Sequence, residues 1–400
     1  MTSQTETGLS TVPWRSTTLH VVLASSLIGV MGVSLISPVL PDLRGVFGVS
    51  DAQVGLVITA YTLPGIVVTP FVGLAADRLG RRRVLVPLLF TFGIAGAGIA
   101  FVDSFAAVLA LRFLQGLGAS ALVTLAITLV GDVYEGTRRD AVMGLNGSTI
   151  GTGAALYPLI GGALATIRWS TPFLFFGIAM LVGLVAALAL EEPETDRSTG
   201  TREYLRGLRG AMVDPRALAI YGTVLVVFFV FYGAVLTAVP LLLSDDFGLS
   251  SDRIGLVLAM VSVASATVSS QYGRIAARFD PKELVAIGFC CYGTGLLLVS
   301  VAPTPTLVGA SLLVFGMGFG VVMPSIDTAV VTMVSSRLRA GMMGLRTSVL
   351  RLGQTLGPVG FTATAEAFFP TTAAGYRVLI PLTGVVVVTM GLVGLVALKR

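Results

Sequence analysis

Apolar stretches of about 20 residues, the length a helix needs to cross the hydrocarbon core of a bilayer, recur along almost the whole chain. Twelve can be read, at 18–40, 53–72, 84–102, 105–131, 142–165 and 171–190, then at 217–243, 253–276, 284–302, 306–334, 341–365 and 376–398. The links are short and carry turn or charge signals, such as Asp103-Ser104, Arg168-Trp169-Ser170 and Pro303-Thr304-Pro305. Apolar side chains make up 54% of the chain before its 48 glycines are counted, and only 12% of residues are charged. That is about half the charge of an ordinary soluble domain, too little to cover a water-facing surface. Disorder is excluded by the same numbers. The expectation is an all-α, multi-pass protein of a prokaryotic cell membrane, with lipid as its surroundings.

Orientation follows from the arginines and lysines, which concentrate on the cytoplasmic side of membrane proteins. With the N-terminus inside, 19 of the 26 basic residues fall in cytoplasmic segments, four outside (Arg44, Arg168, Arg253, Arg377) and three within helices. Both termini are therefore expected in the cytoplasm. The net charge of +5 becomes an orientation signal, and no nucleic-acid partner is expected. The longest polar segment, 191–216, carries Arg202, Arg206 and Arg209 at helical spacing. It reads either as a solvated linker or as a short interfacial helix.

Several chemistries lack their residues. His20 is the single histidine, Cys290 and Cys291 are adjacent in an apolar run, and neither Lys282 nor Lys399 follows a glycine. No histidine metal site, disulfide framework or phosphate-binding Gly-Lys-[Ser/Thr] loop can be built, and no Gly-x-Ser-x-Gly elbow occurs. No enzyme, metal or cofactor is expected.

The two halves repeat at an offset of 200. Phe47-Gly48-x-Ser50 meets Phe247-Gly248-x-Ser250, Gly55-Leu56-Val57 meets Gly255-Leu256-Val257, and Met143-Gly144-Leu145 meets Met343-Gly344-Leu345. Ser148, Gly153 and Pro158 meet Ser348, Gly353 and Pro358. The organisation expected is a tail (1–17), a six-helix bundle (18–190), a cytoplasmic linker (191–216) and a second, parallel six-helix bundle (217–400). Repeats of this kind place a small-molecule site near the midplane between the halves, which rock to expose it to either side.

The loop after the second stretch reads Gly73-Leu-Ala-Ala-Asp77-Arg78-Leu-Gly80-Arg81-Arg82-Arg83. With the duplicated twelve-helix plan, this string resembles the signature loop of the major facilitator superfamily. The resemblance implies a gating loop of Gly73, Asp77, Arg78, Gly80, Arg81 and Arg82. In it Asp77 faces the start of helix 11 near Ala340-Gly341, and an Asp77–Arg81–Asp132 charge cluster forms. Three further strings resemble motifs of the twelve-helix drug:proton antiporters: Met31-Gly32-x5-Pro38-Val39-Leu40-Pro41, Arg112-Phe-Leu-Gln115-Gly116-Leu-Gly118, and Gly144-x8-Gly153-x3-Tyr157-Pro158-x2-Gly161-Gly162. The last departs from the family pattern, which has Gly-Pro where this chain has Tyr157-Pro158. A tyrosine there is expected to block close backbone approach.

An ionised group inside a bilayer is costly enough to be a functional candidate by default. Arg112 in helix 4, Asp327 in helix 10, and Arg346 and Arg351 in helix 11 are the ones placed there. By helical rise Asp327 lies about 10 Å deep, with Arg346 and Arg351 at about 8 and 15 Å from the same side. An Asp327–arginine pair is expected, either a permanent anchor or a titrating site. Arg112 resembles the helix-4 arginine of proton coupling in the family, and otherwise reads as a buried arginine on backbone carbonyls. Helix 1 carries serines where family members often have an acid, and Asp42 at its outer end is the nearest candidate. Tyr61, Gln115, Asn146, Phe228, Phe231 and Tyr232 are candidates to line the cavity.

The function expected is secondary active transport: efflux of lipophilic, drug-like molecules against protons by rocker-switch alternating access. It needs no cofactor beyond the proton gradient, and the chain is expected to work as a monomer. A transporter of one metabolite on the same fold, and more remotely a non-transporting sensor, are the rivals.

Overall fold

In a bilayer every backbone N–H and C=O must find its partner within the protein, and a helix does this segment by segment. The computed structural model describes residues 12–192, 215–333 and 336–397, and among them the apolar stretches are all helical. The first part contains α1 (Thr17–Ser34), α2 (Leu40–Phe47), α3 (Asp51–Leu79), α4 (Arg81–Gly98), α5 (Phe105–Ala119), α6 (Leu122–Val133), α7 (Gly136–Ala165), α8 (Thr171–Phe175) and α9 (Ile178–Ala189). The second contains α10 (Pro215–Val230), α11 (Val239–Phe247), α12 (Ser251–Ser270), α13 (Tyr272–Ala276), α14 (Pro281–Val301), α15 (Pro305–Met333), α16 (Ser336–Phe368) and α17 (Thr372–Ala397). Large apolar side chains such as Val67, Phe71, Leu181, Leu188 and Val393 point out of the bundle, as a lipid-facing surface requires. Most of the segment 191–216 lies outside the described residues.

Among the described residues, ten helical segments are long and apolar enough to cross a membrane. The expected spans 142–165 and 341–365 are not among them. They lie within α7 and α16, helices of 30 and 33 residues rich in Gly, Ser and Thr, with arginines besides in α16. These two helices make the main joints between the parts, α7 against α12 and α16 against α3. Facing protein rather than lipid, they tolerate polar side chains. The expected boundaries also shift. The first stretch breaks after Ser34, where a 3-10 turn Ser37–Val39 precedes α2. The seventh continues from α10 through a π-helical stretch, Phe231–Ala238, in which Thr237 Oγ1 donates to the Tyr232 carbonyl at 2.7 Å.

Small residues set how closely the joints pack. A Cβ on Gly162 would overlap the Ser251 backbone, and one on Gly255 would overlap the Pro158 carbonyl. Tyr157 does not prevent this, contrary to the sequence expectation. Its ring lies against Gly153 one turn back, and the close approach falls one turn on, where Gly161 meets the Leu35 carbonyl.

The bundle is closed at the end that carries Gly48 and Gly248, both left-handed caps (φ 61° and 62°). From there the α7–α12 joint runs to Ala154, whose carbonyl accepts from Ser262 at 3.0 Å. Beyond it Gly151, Gly147 and Gly144 have open space beside them. The α3–α16 joint runs from Ala52 N–H on Glu366 (3.0 Å) through Thr59 on the Thr355 carbonyl (3.0 Å) to Gly65 beside Arg351. The two parts are therefore zipped from one end to about the middle.

Candidate functional site

Arg112, on α5, is fully buried. Its guanidinium donates to the carbonyls of Val57 (3.0 Å) and Gly32 (2.9 Å) and to Gln115 Oε1 (2.8 Å), and lies 4.4 Å from the Tyr61 ring centroid. The Gly32 carbonyl is free to accept because Ile36 N–H turns to Val33 as α1 ends. No carboxylate pairs with Arg112 among the described residues, so its geometry is that of a charged anchor joining α1, α3 and α5. Gln115 belongs to that anchor rather than to an open cavity.

Between the two parts lies a polar cluster at the inner limit of the zipper. Arg351, on α16, lays its side chain across Gly65 of α3, with Cδ 3.0 Å from where a Cβ would stand. It donates to Gln354 Oε1 at 3.1 Å, and no ion-pair partner reaches it among the described residues. Tyr232, from the π-helical stretch, lies near the Gln354 side chain and within electrostatic reach of Arg351 and Tyr61. Thr355 Oγ1 meets Thr62 Oγ1 at 3.0 Å just beside them. Gln354 and Thr355 escaped the sequence reading, although Gln354 stands one helical turn from Arg351.

The aromatic candidates divide. Tyr61 and Tyr232 belong to this cluster. Phe231 instead packs on Phe319 (centroids 4.9 Å) and Phe315 (6.0 Å), and Phe228 is buried against Phe319 and Tyr232. Both serve the packing of α10 and its π-helical continuation on α15. Asn146 is buried with Oδ1 unbonded.

Asp327 pairs with Arg346 at 2.6 Å, the aspartate side chain 47% exposed and the arginine 11%. The expected pair therefore forms with Arg346 and not with Arg351. Asp42 lies far from it, at the closed end, where it accepts from Ser251 Oγ at 2.6 Å. That contact joins α2 to α12 and belongs to closure.

At the opposite end Arg81 joins Asp77 (2.6 Å) and Asp132 (2.9 Å), the cluster drawn from the loop motif. Gly80, with φ 106°, turns the chain so that Glu192 accepts from the Arg81 and Arg82 backbone N–H groups at the start of α4. Arg82 reaches the Ala187 carbonyl. Glu192 was missed because it lies 111 residues from Arg81. Gly73 lies within α3, and Arg78 is exposed. The side chains of Ala340-Gly341, expected opposite Asp77, lie outside the described residues.

This architecture matches known proteins along its length. The sequence profile of the Major Facilitator Superfamily matches residues 22–358 and 221–400, with starting points close to the 200-residue offset. The chain is 28% identical over 355 residues to the bacillibactin exporter of Bacillus subtilis (strain 168), covering 84% of this chain and 87% of that protein. It is 29% identical over 364 residues to the class G tetracycline resistance protein of Vibrio anguillarum (86% and 90%). Among solved structures it resembles a bacterial homologue of the human lysosomal transporter Spinster, in an inward-facing and unoccupied conformation. The TM-score is 0.78 at 19% identity, with 96% of each chain covered. The nucleoside transporter NupG gives a TM-score of 0.79 at 11% identity, covering 96% and 98%. The chain belongs to the Major Facilitator Superfamily.

Proposed function

We propose that the chain is a proton-coupled exporter of drug-like small molecules working by alternating access, as a monomer with both termini in the cytoplasm. The observation that carries this reading is the half-zipped bundle: cross-contacts close one end, and a polar cluster sits where they stop. In the expected orientation the closed end faces outward, so the pathway opens to the cytoplasm, where an exporter collects its cargo. The relatives named for tetracycline resistance and bacillibactin export support efflux. They leave two substrate ranges, a broad set of compounds or one defined metabolite.

Proton coupling is assigned to Asp327. Its protonation would release Arg346, and inward proton movement supplies about 2.3 kcal/mol per 100 mV of membrane potential. The test is flux in proteoliposomes with an imposed proton gradient, on wild type and Asp327→Asn. The expected result is gradient-driven accumulation in wild type and only downhill exchange in the variant. Gradient-driven accumulation at the wild-type level in Asp327→Asn would remove Asp327 from coupling. Absence of substrate-dependent flux in wild type would sink the transport reading.

A further inference from the structure

We propose that Arg351, Gln354, Tyr232 and Tyr61 form a subsite for the acidic group of the transported molecule, a carboxylate or an ionised enol or phenol. The inference rests on the transport reading and gives its substrate a chemical class.

Arg351 is a half-buried cation between the two parts, with no counter-charge among the described residues. A desolvated charge left without a partner is strongly unfavourable, and a guanidinium presents its donors in a planar fork that matches a carboxylate. Gln354 occupies one terminal nitrogen. The Nε of Arg351 is buried and has no partner, so donors remain for a ligand. The second observation is independent. Tyr61 is 3% exposed, and its buried hydroxyl has no hydrogen-bond partner. The hydroxyl lies against Gly32 of α1, and a donor without an acceptor, within electrostatic reach of a cation without an anion, calls for an oxygen-rich negative group.

Position supports the same conclusion. Tyr61 comes from α3, Tyr232 from the π-helical stretch after α10, and Arg351 and Gln354 from α16, so an anion bound here touches both parts at once. The Thr62–Thr355 bond closes the zipper immediately beside it.

The test uses purified full-length protein in detergent and three fluorescent probes of one ring system: coumarin-3-carboxylate, its neutral carboxamide, and a trimethylammonium coumarin. Wild type is expected to bind the carboxylate about tenfold or more tightly than the carboxamide, the scale of one charge-assisted hydrogen bond. Arg351→Gln is expected to abolish that preference while leaving carboxamide binding within twofold, and Arg351→Lys to restore part of it. The exposed Arg168→Gln controls for general charge. Should Arg351→Gln fail to fold, Gln354→Leu and Tyr232→Phe must each narrow the acid-to-amide ratio severalfold. A wild type that binds acid and amide alike, binds neither, or prefers the cation overturns the proposal. So does an Arg351→Gln variant that weakens acid and amide equally, which marks a packing role. Because binding is read without flux, failure of the subsite and failure of transport are separate results.

Discussion

Arg44 donates to Asp51 at 2.7 Å, and the same guanidinium grips Asp245 of the other part. Asp51, with its side chain 2% exposed, also accepts from the Tyr376 hydroxyl at 2.9 Å. One arginine on α2 therefore holds together α3, α11 and, through Asp51, α17. The Arg44–Asp245 and Asp51–Tyr376 bonds cross between the two parts and are lost if they separate at this end, so the cluster acts as a latch on the closed state.

Removing the latch should open that end. Ser37 is buried at the same interface, its hydroxyl donating to the Leu236 carbonyl at 2.6 Å, and Ser37→Cys in a Cys290→Ser, Cys291→Ser background reports exposure. Adding Arg44→Ala is expected to raise the rate at which a membrane-impermeant maleimide modifies this introduced thiol about fivefold, the population shift that roughly 1 kcal/mol gives. Asp245→Asn should do the same to a smaller degree. Raising salt should mimic part of the effect, because the Arg44–Asp245 pair is a quarter exposed on both sides and is screened. An unchanged rate in Arg44→Ala would mean that packing alone closes this end.

Asp327 and Arg346 give a second prediction, separable from coupling. Each single neutralisation, Asp327→Asn or Arg346→Gln, leaves a charge alone within a membrane helix and should lower thermal stability in detergent. The double variant should recover most of that loss, because the pair interacts directly and the effects are non-additive. The partial exposure of Asp327 keeps the coupling energy near the low end of the usual range, about 0.5–1 kcal/mol. Recovery of stability without recovery of gradient-driven transport would separate the anchoring role of the pair from its proposed titration.

Arg112 should behave as an anchor. Arg112→Gln strands the Gly32 and Val57 carbonyls and leaves Gln115 without its charged donor, a loss of about 1.5–3 kcal/mol for each charged hydrogen bond. A sharp fall in unfolding temperature and in folded yield is expected. Arg112→Lys keeps the charge but cannot span three acceptors, so it should fall between. A variant of wild-type stability that loses only gradient-driven transport would return Arg112 to the coupling machinery.

Local regularity explains what the chain disclosed before folding. Spans were legible because bilayer thickness imposes their length. Asp77, Arg81 and Asp132 were legible because the loop string resembles the family's signature loop. The latch was not: Arg44 and Asp245 lie 201 residues apart, and Asp51 and Tyr376 lie 325 apart, distances over which neither helix period nor motif spacing says anything. For Arg112 the sequence left two readings open, proton coupling or a buried arginine on backbone carbonyls, because such carbonyl partners leave no mark in a sequence. Phe231 was only a candidate for the cavity, because helical position alone does not say which neighbour a ring will face.

The α7–α12 joint supplies the last prediction. Gly162 lies against the Ser251 backbone and Gly255 against the Pro158 carbonyl, with no room for a methyl group at either place. Both contacts exist only while this end is closed, so Gly162→Ala and Gly255→Ala should penalise closure itself. In the Ser37→Cys background they are expected to speed maleimide labelling as Arg44→Ala does and to slow transport, with a smaller change in unfolding temperature than Arg112→Gln. Gly144 stands in the same helix with open space beside it, so Gly144→Ala should leave labelling and transport near wild type. If Gly144→Ala and Gly162→Ala slow transport equally, the effect lies in α7 itself, for instance its flexibility, and not in the fit of α7 to α12.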